Sequence, residues 1–153
     1  MNIRPQALDL LARLGLCAGV SPWFRVTQDR ITAFGGLTLD YDPHHIDPAA
    51  AKSGPFGAPT AQGFLTLSLL THLIEAAKID IAHRYHINYG FNKVRFIAPV
   101  YVGRRIRAEF FYRAAVRRPD ARWLVEFDVR IEQEGEQRPC LSADWLILLD
   151  EVS

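Results

Sequence analysis

The chain has few of the features that mark specialised classes of protein. Its two cysteines, Cys17 and Cys140, lie far apart and in no CxxC spacing. This argues against a disulfide framework and predicts two free thiols in a reducing compartment. The formal net charge is only +1, and the basic residues are spread along the sequence. Without a basic stripe, we expect no nucleic-acid partner.

Long hydrophobic runs are also missing. No apolar stretch approaches the roughly 18 residues that a membrane span needs, so no membrane partner is expected. The first residues have neither a long apolar core nor a cleavage site, unlike a signal peptide. With 49% hydrophobic and 23% charged residues and no linker or repeat, the sequence is typical of a cytoplasmic globular protein with one domain over residues 1–153.

Two hydrophobic patterns divide the chain. Residues 61–82 contain no proline, and their apolar side chains cover most of a helical circumference, which predicts one long buried helix. From residue 87 the apolar period is two, which predicts antiparallel strands with turns at Pro119-Asp120 and near Gly135. In the strand near residue 110, the side chains expected to face inward are Ile106, Ala108, Phe110, Tyr112, Ala114 and Val116.

The residues before the long helix are mostly irregular. Thr27 is a suitable N-cap for a helix over residues 28–35. Residues 36–60 predict mainly loop, with a short helix near Pro48 to Lys52, and a loop of this length is usually functional. The order of the elements predicts an α+β fold, in which a curved antiparallel sheet wraps around one central apolar helix.

A cluster of titratable residues within that loop suggests chemistry. Residues 40–47 contain three aspartates and two histidines. Aspartate and histidine are a common acid/base couple because imidazole titrates near neutral pH. One alternative is a turn in which Asp42 and Asp47 cap backbone amides and both histidines face water. A metal site is a third interpretation, but no second group of ligands completes it, so no metal is expected.

The residues around the cluster resemble a known family. Asp40, Pro43, His45 and Asp47 match the D-x-N-P-x-H-x-D signature of the MaoC-like dehydratases, also called (R)-specific enoyl-CoA hydratases. Further blocks at residues 54–57 with 63–70, 87–96 and 99–103 are similar to the family in the same order, and residues 19–31 resemble its branch similar to nodulation protein N. The resemblance covers roughly residues 19–147. It implies the hotdog fold, usually a homodimer or higher homo-oligomer with the acyl tunnel beside the subunit interface.

The resemblance also implies a reaction: reversible hydration of a trans-2-enoyl thioester, of coenzyme A or of acyl carrier protein, to an (R)-3-hydroxyacyl thioester. No cofactor is expected beyond the coenzyme A of the substrate. Asp40 and His45 correspond to the catalytic pair that activates water and returns the proton. Gly63 corresponds to the residue whose backbone N–H binds the thioester oxygen. The residues expected to contact or border the substrate are Asp42, Gln62, Ser68, Asn88 and Tyr89.

Several of these positions have alternatives or depart from the family pattern. A hydroxyl bonded to the helix backbone is the alternative for Ser68, and a turn at a strand start is the alternative for Asn88 and Tyr89. Three residues differ from those common in the family: Asp42 replaces asparagine, Gln62 replaces histidine and Leu39 replaces glycine.

Two rival functions remain open at this point. One is a non-catalytic protein that binds acyl thioesters, against which the retained Asp40 and His45 argue. The other is a hotdog acyl-CoA thioesterase, a class that places an acid on or near the central helix, where Glu75 is the acid available.

Overall fold

The computed structural model describes residues 7–79 and 86–150. A 3₁₀ helix, Ala7–Arg13, is followed by strands β1 (Cys17–Val20) and β2 (Phe24–Arg25). Then come the helices α1 (Gln28–Thr38), α2 (Pro43–Ile46), α3 (Pro48–Lys52), α4 (Gly63–Ser68) and α5 (Leu70–Ala77). The remaining strands are β3 (His86–Phe96), β4 (Arg105–Arg117), β5 (Trp123–Gln133) and β6 (Leu141–Leu149).

Within the described residues, these strands form one antiparallel sheet. Its order is β1-β4-β5-β6-β3, and β2 also pairs with β4. Phe110 of β4 lies opposite Val129 of β5, which lies opposite Ala143 of β6, and all three are fully buried. Helix α5 packs against β4. The predicted α+β architecture, with an antiparallel sheet against a central helix, is confirmed.

The central helix differs from its prediction. It begins at Gly63, is interrupted at Leu69 and ends at Ala77, where Lys78 has a left-handed φ of 51°; predicted residues 80–82 lie outside the described residues. The apolar face is buried by the core, but Phe64 is 69% exposed, and Ser68, Thr71 and Glu75 are exposed on the same side. The prediction of a helix buried all round is therefore wrong for a single chain, because the sheet covers only one side.

Strand β4 follows the predicted alternation only in its first half. Ile106, Ala108, Phe110 and Tyr112 are buried as predicted. The pairing with β5 shifts between Tyr112 and Ala114, and such a β-bulge reverses the faces of all later residues. Ala115 is consequently buried, and Val116 is 59% exposed. The inward placement predicted for Ala114 and Val116 is wrong for this reason.

The segment between α1 and α4 is more ordered than predicted. Helix α1 begins after Thr27 as expected but continues to Thr38. Helix α3 has the predicted bounds, whereas α2 lies in residues expected to be loop. Pro43 at the first position of α2 and Asp42 as its N-cap stabilise that helical turn. In the described ranges, no helix is long and apolar enough to cross a bilayer.

Candidate active site

The backbone of Asp40 is fixed by the end of α1. Leu39 ends the helix with a left-handed φ of 59°, and its N–H donates to the carbonyl of Gly35. The N–H of Asp40 donates to the same carbonyl at 3.0 Å. A Cβ at position 35 would lie 2.7 Å from the Asp40 carbonyl oxygen. Glycine at 35 is therefore what allows the chain to return so closely on the helix.

Asp42 and Asp47 cap the two short helices that follow. Oδ1 of Asp42 accepts the backbone N–H of His44 at 3.2 Å, and this bond is the main cause that lowers the pKa of Asp42. Oδ1 of Asp47 accepts the N–H groups of Ala49 and Ala50 at 2.9 and 3.1 Å. The capping alternative is thus confirmed for both aspartates. The two histidines, however, are half-buried.

His45 is oriented through its ring and through its backbone. Its Nδ1 lies 2.6 Å from the carbonyl oxygen of Thr60, and its own carbonyl accepts the side-chain N–H of Gln28 at 2.8 Å. Because a carbonyl oxygen only accepts, we assign the hydrogen to Nδ1, which leaves Nε2 with the lone pair in the neutral ring. Thr60 was not foreseen, since a contribution from the backbone leaves no trace in residue type.

His45 and Gly63 meet in one cavity of about 330 Å³, which we call the histidine cavity. Gly63 is the first residue of α4, and the N–H groups of a first helical turn have no acceptor inside the helix. A Cβ at position 63 would lie 3.1 Å from the Phe96 ring. Other side chains that line the cavity include His44, Phe56, Thr66, Phe96 and Cys140.

Cys140 contributes surface to this cavity and no reactive thiolate. Its Sγ donates to the carbonyl of Ile131 at 3.1 Å. Burial raises the pKa of Cys140 to about 12, so the thiol stays protonated near neutral pH and is a poor nucleophile. Both cysteines are free, with Cys17 exposed and Cys140 buried, as predicted from their spacing.

Asp40 and Gln62 lie near the histidine cavity and are not among the described residues that line it. Asp40 is half-buried, and its Oδ1 is 3.5 Å from the N–H of Asp42. Gln62 is 2% exposed, and its Nε2 donates to the carbonyl of Ile31 at 3.1 Å. Gln62 therefore connects the start of α4 to α1 through Nε2, while its buried Oε1 has no hydrogen-bond partner among the described residues.

The other three expected substrate contacts lie elsewhere. Ser68, Asn88 and Tyr89 line a second cavity of about 430 Å³, which we call the tyrosine cavity, together with Leu67, Thr71, Phe91 and Trp145. It lies beside the first half of β3, whereas the histidine cavity lies beside the last residue of that strand. Of the predicted site residues, two line the histidine cavity (His45 and Gly63), three line the tyrosine cavity (Ser68, Asn88 and Tyr89), and three line neither (Asp40, Asp42 and Gln62). His44, Phe56 and Phe96 belong to the histidine cavity and were not predicted as site residues.

Comparison with known proteins identifies the family. The model of the MaoC like domain matches residues 15–129, and the chain belongs to the MaoC-like dehydratase family. Nodulation protein N of Rhizobium leguminosarum bv. viciae is 36% identical over 143 residues, which cover 92% of this chain and 89% of that protein. The 3-hydroxyacyl-thioester dehydratase Z of Mycobacterium tuberculosis is 36% identical over 139 residues, covering 91% of this chain and 92% of that protein.

The fold agrees with this assignment. A solved structure of the monoamine oxidase regulatory protein from Archaeoglobus fulgius is similar to this chain with a TM-score of 0.79 and 26% identity, and the match covers 92% of each chain. The hotdog fold implied by the sequence resemblance is confirmed. Dehydratases of this family are hydro-lyases, and this is the class of enzyme to which the chain is assigned.

Proposed function

We propose that the protein reversibly hydrates a trans-2-enoyl thioester of coenzyme A or acyl carrier protein to the (R)-3-hydroxyacyl thioester. The observation that carries the proposal is that His45 and Gly63 line the same cavity. One supplies a group that can take a proton from water, and the other supplies a backbone donor for a carbonyl oxygen. The relative named 3-hydroxyacyl-thioester dehydratase supports the substrate class.

His45 and Asp40 form the proposed pair that activates water. With Nδ1–H directed at the Thr60 carbonyl, Nε2 of the neutral imidazole is the basic atom. The backbone of Asp40 is held at the end of α1 by Gly35, two residues before the cap of the helix that carries His45. Catalytic hydrogen bonds often shorten only when substrate binds, and we place Asp40 as the carboxylate that shares the proton with His45.

Gly63 provides the proposed oxyanion contact. As water adds at Cβ, negative charge develops on the thioester oxygen, and a fixed backbone N–H stabilises that charge in a site shielded from solvent. The Phe96 ring already lies against Cα of Gly63, so a side chain at this position would compete with both the ring and the thioester. The cavity volume of about 330 Å³ is within the range of small-molecule sites.

We further propose that two copies associate through β3 and the exposed face of the central helix. Strand β3 pairs only with β6 in the described part of the sheet, so its other edge offers free backbone donors and acceptors. Ile87, Tyr89 and Phe91 of this strand and Phe64 of α4 are large, exposed hydrophobic side chains. Such a combination marks an interaction surface, and the expected result from light scattering is a dimer or a larger homo-oligomer.

The central experiment incubates the purified protein with crotonyl-CoA and longer enoyl-CoAs and follows the loss of the conjugated double bond. His45→Ala and Asp40→Asn should each reduce turnover at least about 100-fold, with circular dichroism spectra like the wild type. His72→Ala is the matched control, because His72 is an exposed histidine of α5 that lines neither cavity. Full activity of His45→Ala would refute the assignment.

The same assay separates the two rival functions. Release of free coenzyme A without hydration would indicate a thioesterase, and binding of acyl-CoA with neither reaction would indicate a binding protein. The structure gives the thioesterase less support. Glu75 is exposed, lies 3.3 Å from Nε2 of His86, and is not among the described residues that line the histidine cavity.

A further inference from the structure

The histidine cavity contains two imidazoles in contact with each other. The ring centroids of His44 and His45 are 4.1 Å apart, and the His44 centroid is 5.9 Å from that of Phe56. Both histidines line the cavity. Hydration of an enoyl thioester needs a base for water and an acid for Cα. Among the described side chains that line this cavity, His44 and His45 are the ones that can change charge near neutral pH, because the Cys140 thiol stays protonated.

The two imidazoles have different partners at Nδ1. That of His45 faces the neutral carbonyl of Thr60 at 2.6 Å, whereas that of His44 is 2.5 Å from the carboxylate Oδ1 of Asp42. A carbonyl oxygen accepts from a neutral ring N–H, whereas a carboxylate oxygen can form a charge-assisted hydrogen bond with an imidazolium N–H. Because Nδ1 of His44 is engaged by Asp42, Nε2 is the nitrogen left to meet a group in the cavity.

Two imidazoles in contact, one hydrogen-bonded to a carbonyl and the other to a carboxylate, can take opposite roles, one as base and one as acid. We propose that His44 is a further catalytic residue, which as an imidazolium held by Asp42 delivers the proton to Cα while His45 accepts the proton of water. This inference rests on the proposed hydration and adds a separate acid to it. The signature that identifies the family does not specify position 44.

The proposed addition of water involves two proton transfers, one at each imidazole. Water gives a proton to Nε2 of His45, and its oxygen bonds to Cβ as the π electron pair moves to the thioester oxygen near Gly63. The carbonyl then re-forms, and Cα takes the proton from Nε2 of His44. One hydrogen and one hydroxyl have been added, His45 is protonated and His44 is neutral. Proton exchange with solvent restores both rings, and no oxidant or reductant is needed.

The carboxylates closest in sequence to the two rings come from two segments. The segment before α2 contributes the carboxylates of Asp40 and Asp42, and the start of α3 contributes Asp47, whose Oδ1 bonds to two backbone amides. The residue before β6 is Cys140, which is neutral. Gly63 and Thr66 from α4 and Phe96 from β3 carry no charge near neutral pH. Among the described residues, Asp42 is therefore the carboxylate that contacts one of the two rings, that of His44.

The test compares the pH dependence of kcat/KM for crotonyl-CoA hydration in the wild type and in His44→Phe. Phenylalanine keeps a ring between His45 and Phe56 but has no proton to give. We expect kcat to fall about 100-fold, KM to change less than about 3-fold, and the alkaline limb of the wild-type profile to disappear. Asp42→Asn should lower kcat by a smaller factor, about 10-fold. His72→Phe is the matched control, because its ring contact is with Phe24, outside the cavity.

His44→Gln serves as a second variant if phenylalanine disturbs folding, because it keeps a hydrogen-bond donor and cannot titrate. Wild-type kcat and an unchanged alkaline limb in these variants would overturn the role of His44 and leave the hydration proposal standing. A reduced kcat with an unchanged alkaline limb would also overturn it, since packing alone would explain the loss. Absence of hydration by the wild type would overturn both proposals.

Discussion

The two cavities beside β3 differ more in chemistry than in size. The tyrosine cavity is larger, about 430 Å³ against about 330 Å³, yet its described polar side chains are hydroxyls and one amide: Ser68, Thr71, Asn88 and Tyr89. The histidine cavity has two imidazoles and the first residue of a helix. Proton transfer near neutral pH requires groups that change charge there, so the smaller cavity is the better candidate for catalysis, and volume alone would have selected the other.

The cavities also differ in what holds their walls. The histidine cavity borders α2, which is fixed by the Asp42 cap and followed directly by α3 with its Asp47 cap. The tyrosine cavity borders the exposed side of the central helix and the edge of β3 that has no partner strand in the described sheet. Tyr89 of β3 is 51% exposed there. The wall of the histidine cavity is therefore held in place by contacts within a single chain. The wall of the tyrosine cavity belongs to the surface that we propose a second copy covers.

The largest effect that separates the cavities is expected from Gly63→Ala. The new Cβ would lie 3.1 Å from the Phe96 ring and beside the proposed oxyanion donor. We expect hydration of crotonyl-CoA to slow about 100- to 1,000-fold and the free energy of unfolding to fall by about 1 kcal/mol. The control is the double variant Gly63→Ala/Phe96→Leu, which relieves the contact. Recovery of stability without recovery of rate supports the oxyanion role, and recovery of both would assign Gly63 to packing alone.

A large difference is also expected between the two thiols. Cys140 lines the histidine cavity, but burial raises its pKa to about 12, so it remains neutral between pH 7 and 9. We expect a disulfide reagent to modify exposed Cys17 at least about 100-fold faster than Cys140 in the native protein. Both thiols should react in denaturant. Two fast thiols in the native protein would show that the cavity admits reagent and activates Cys140.

A moderate effect is expected when the tyrosine cavity is filled by Ser68→Leu. If this cavity accepts the distal acyl chain, kcat/KM should fall about 10-fold for long enoyl-CoAs and much less for crotonyl-CoA. Thr71→Ser, which changes the same cavity wall by one methyl group, is the matched control. An equal loss for short and long substrates would contradict a separate role in chain length and would place Ser68 close to the reacting atoms.

Local rules were enough to predict part of this arrangement. Proline and aspartate at the starts of short helices allowed the capping roles of Asp42 and Asp47 to be foreseen as one alternative, and the period-two pattern predicted the buried faces of β5 and β6. The bulge after Tyr112 could not be predicted, because an extra residue in a strand depends on pairing with its neighbour. Residue type likewise gave no indication that the Thr60 carbonyl orients His45.

For a related reason, the sequence could not predict that Gly63 and Ser68 line different cavities. Ser68 and Gly63 belong to one predicted helix, and helical periodicity does not show which residues border which part of the sheet. Similarly, His44 was only a neighbour of His45 in the sequence. Its significance depends on the distance from Nδ1 to Asp42 and on the ring contact with His45, both of which require the turn of α2 to be known.

The smallest effect is expected at Leu39, which directly precedes Asp40 in the sequence. Its left-handed φ of 59° costs an L-residue about 1–2 kcal/mol, while its side chain is 74% exposed and contributes little packing. Leu39→Gly removes that strain but increases the entropy of the unfolded chain, so we expect a net gain in the free energy of unfolding of about 0.5 kcal/mol. Chemical denaturation measures this change.

Leu37→Gly is the matched control for that measurement. Leu37 is also exposed but lies within α1, where glycine should destabilise the protein by about 0.5–1 kcal/mol. Opposite signs for the two substitutions would show that Leu39 is retained despite its backbone strain. Equal destabilisation would mean instead that the Leu39 side chain gains a stabilising contact in the assembled protein.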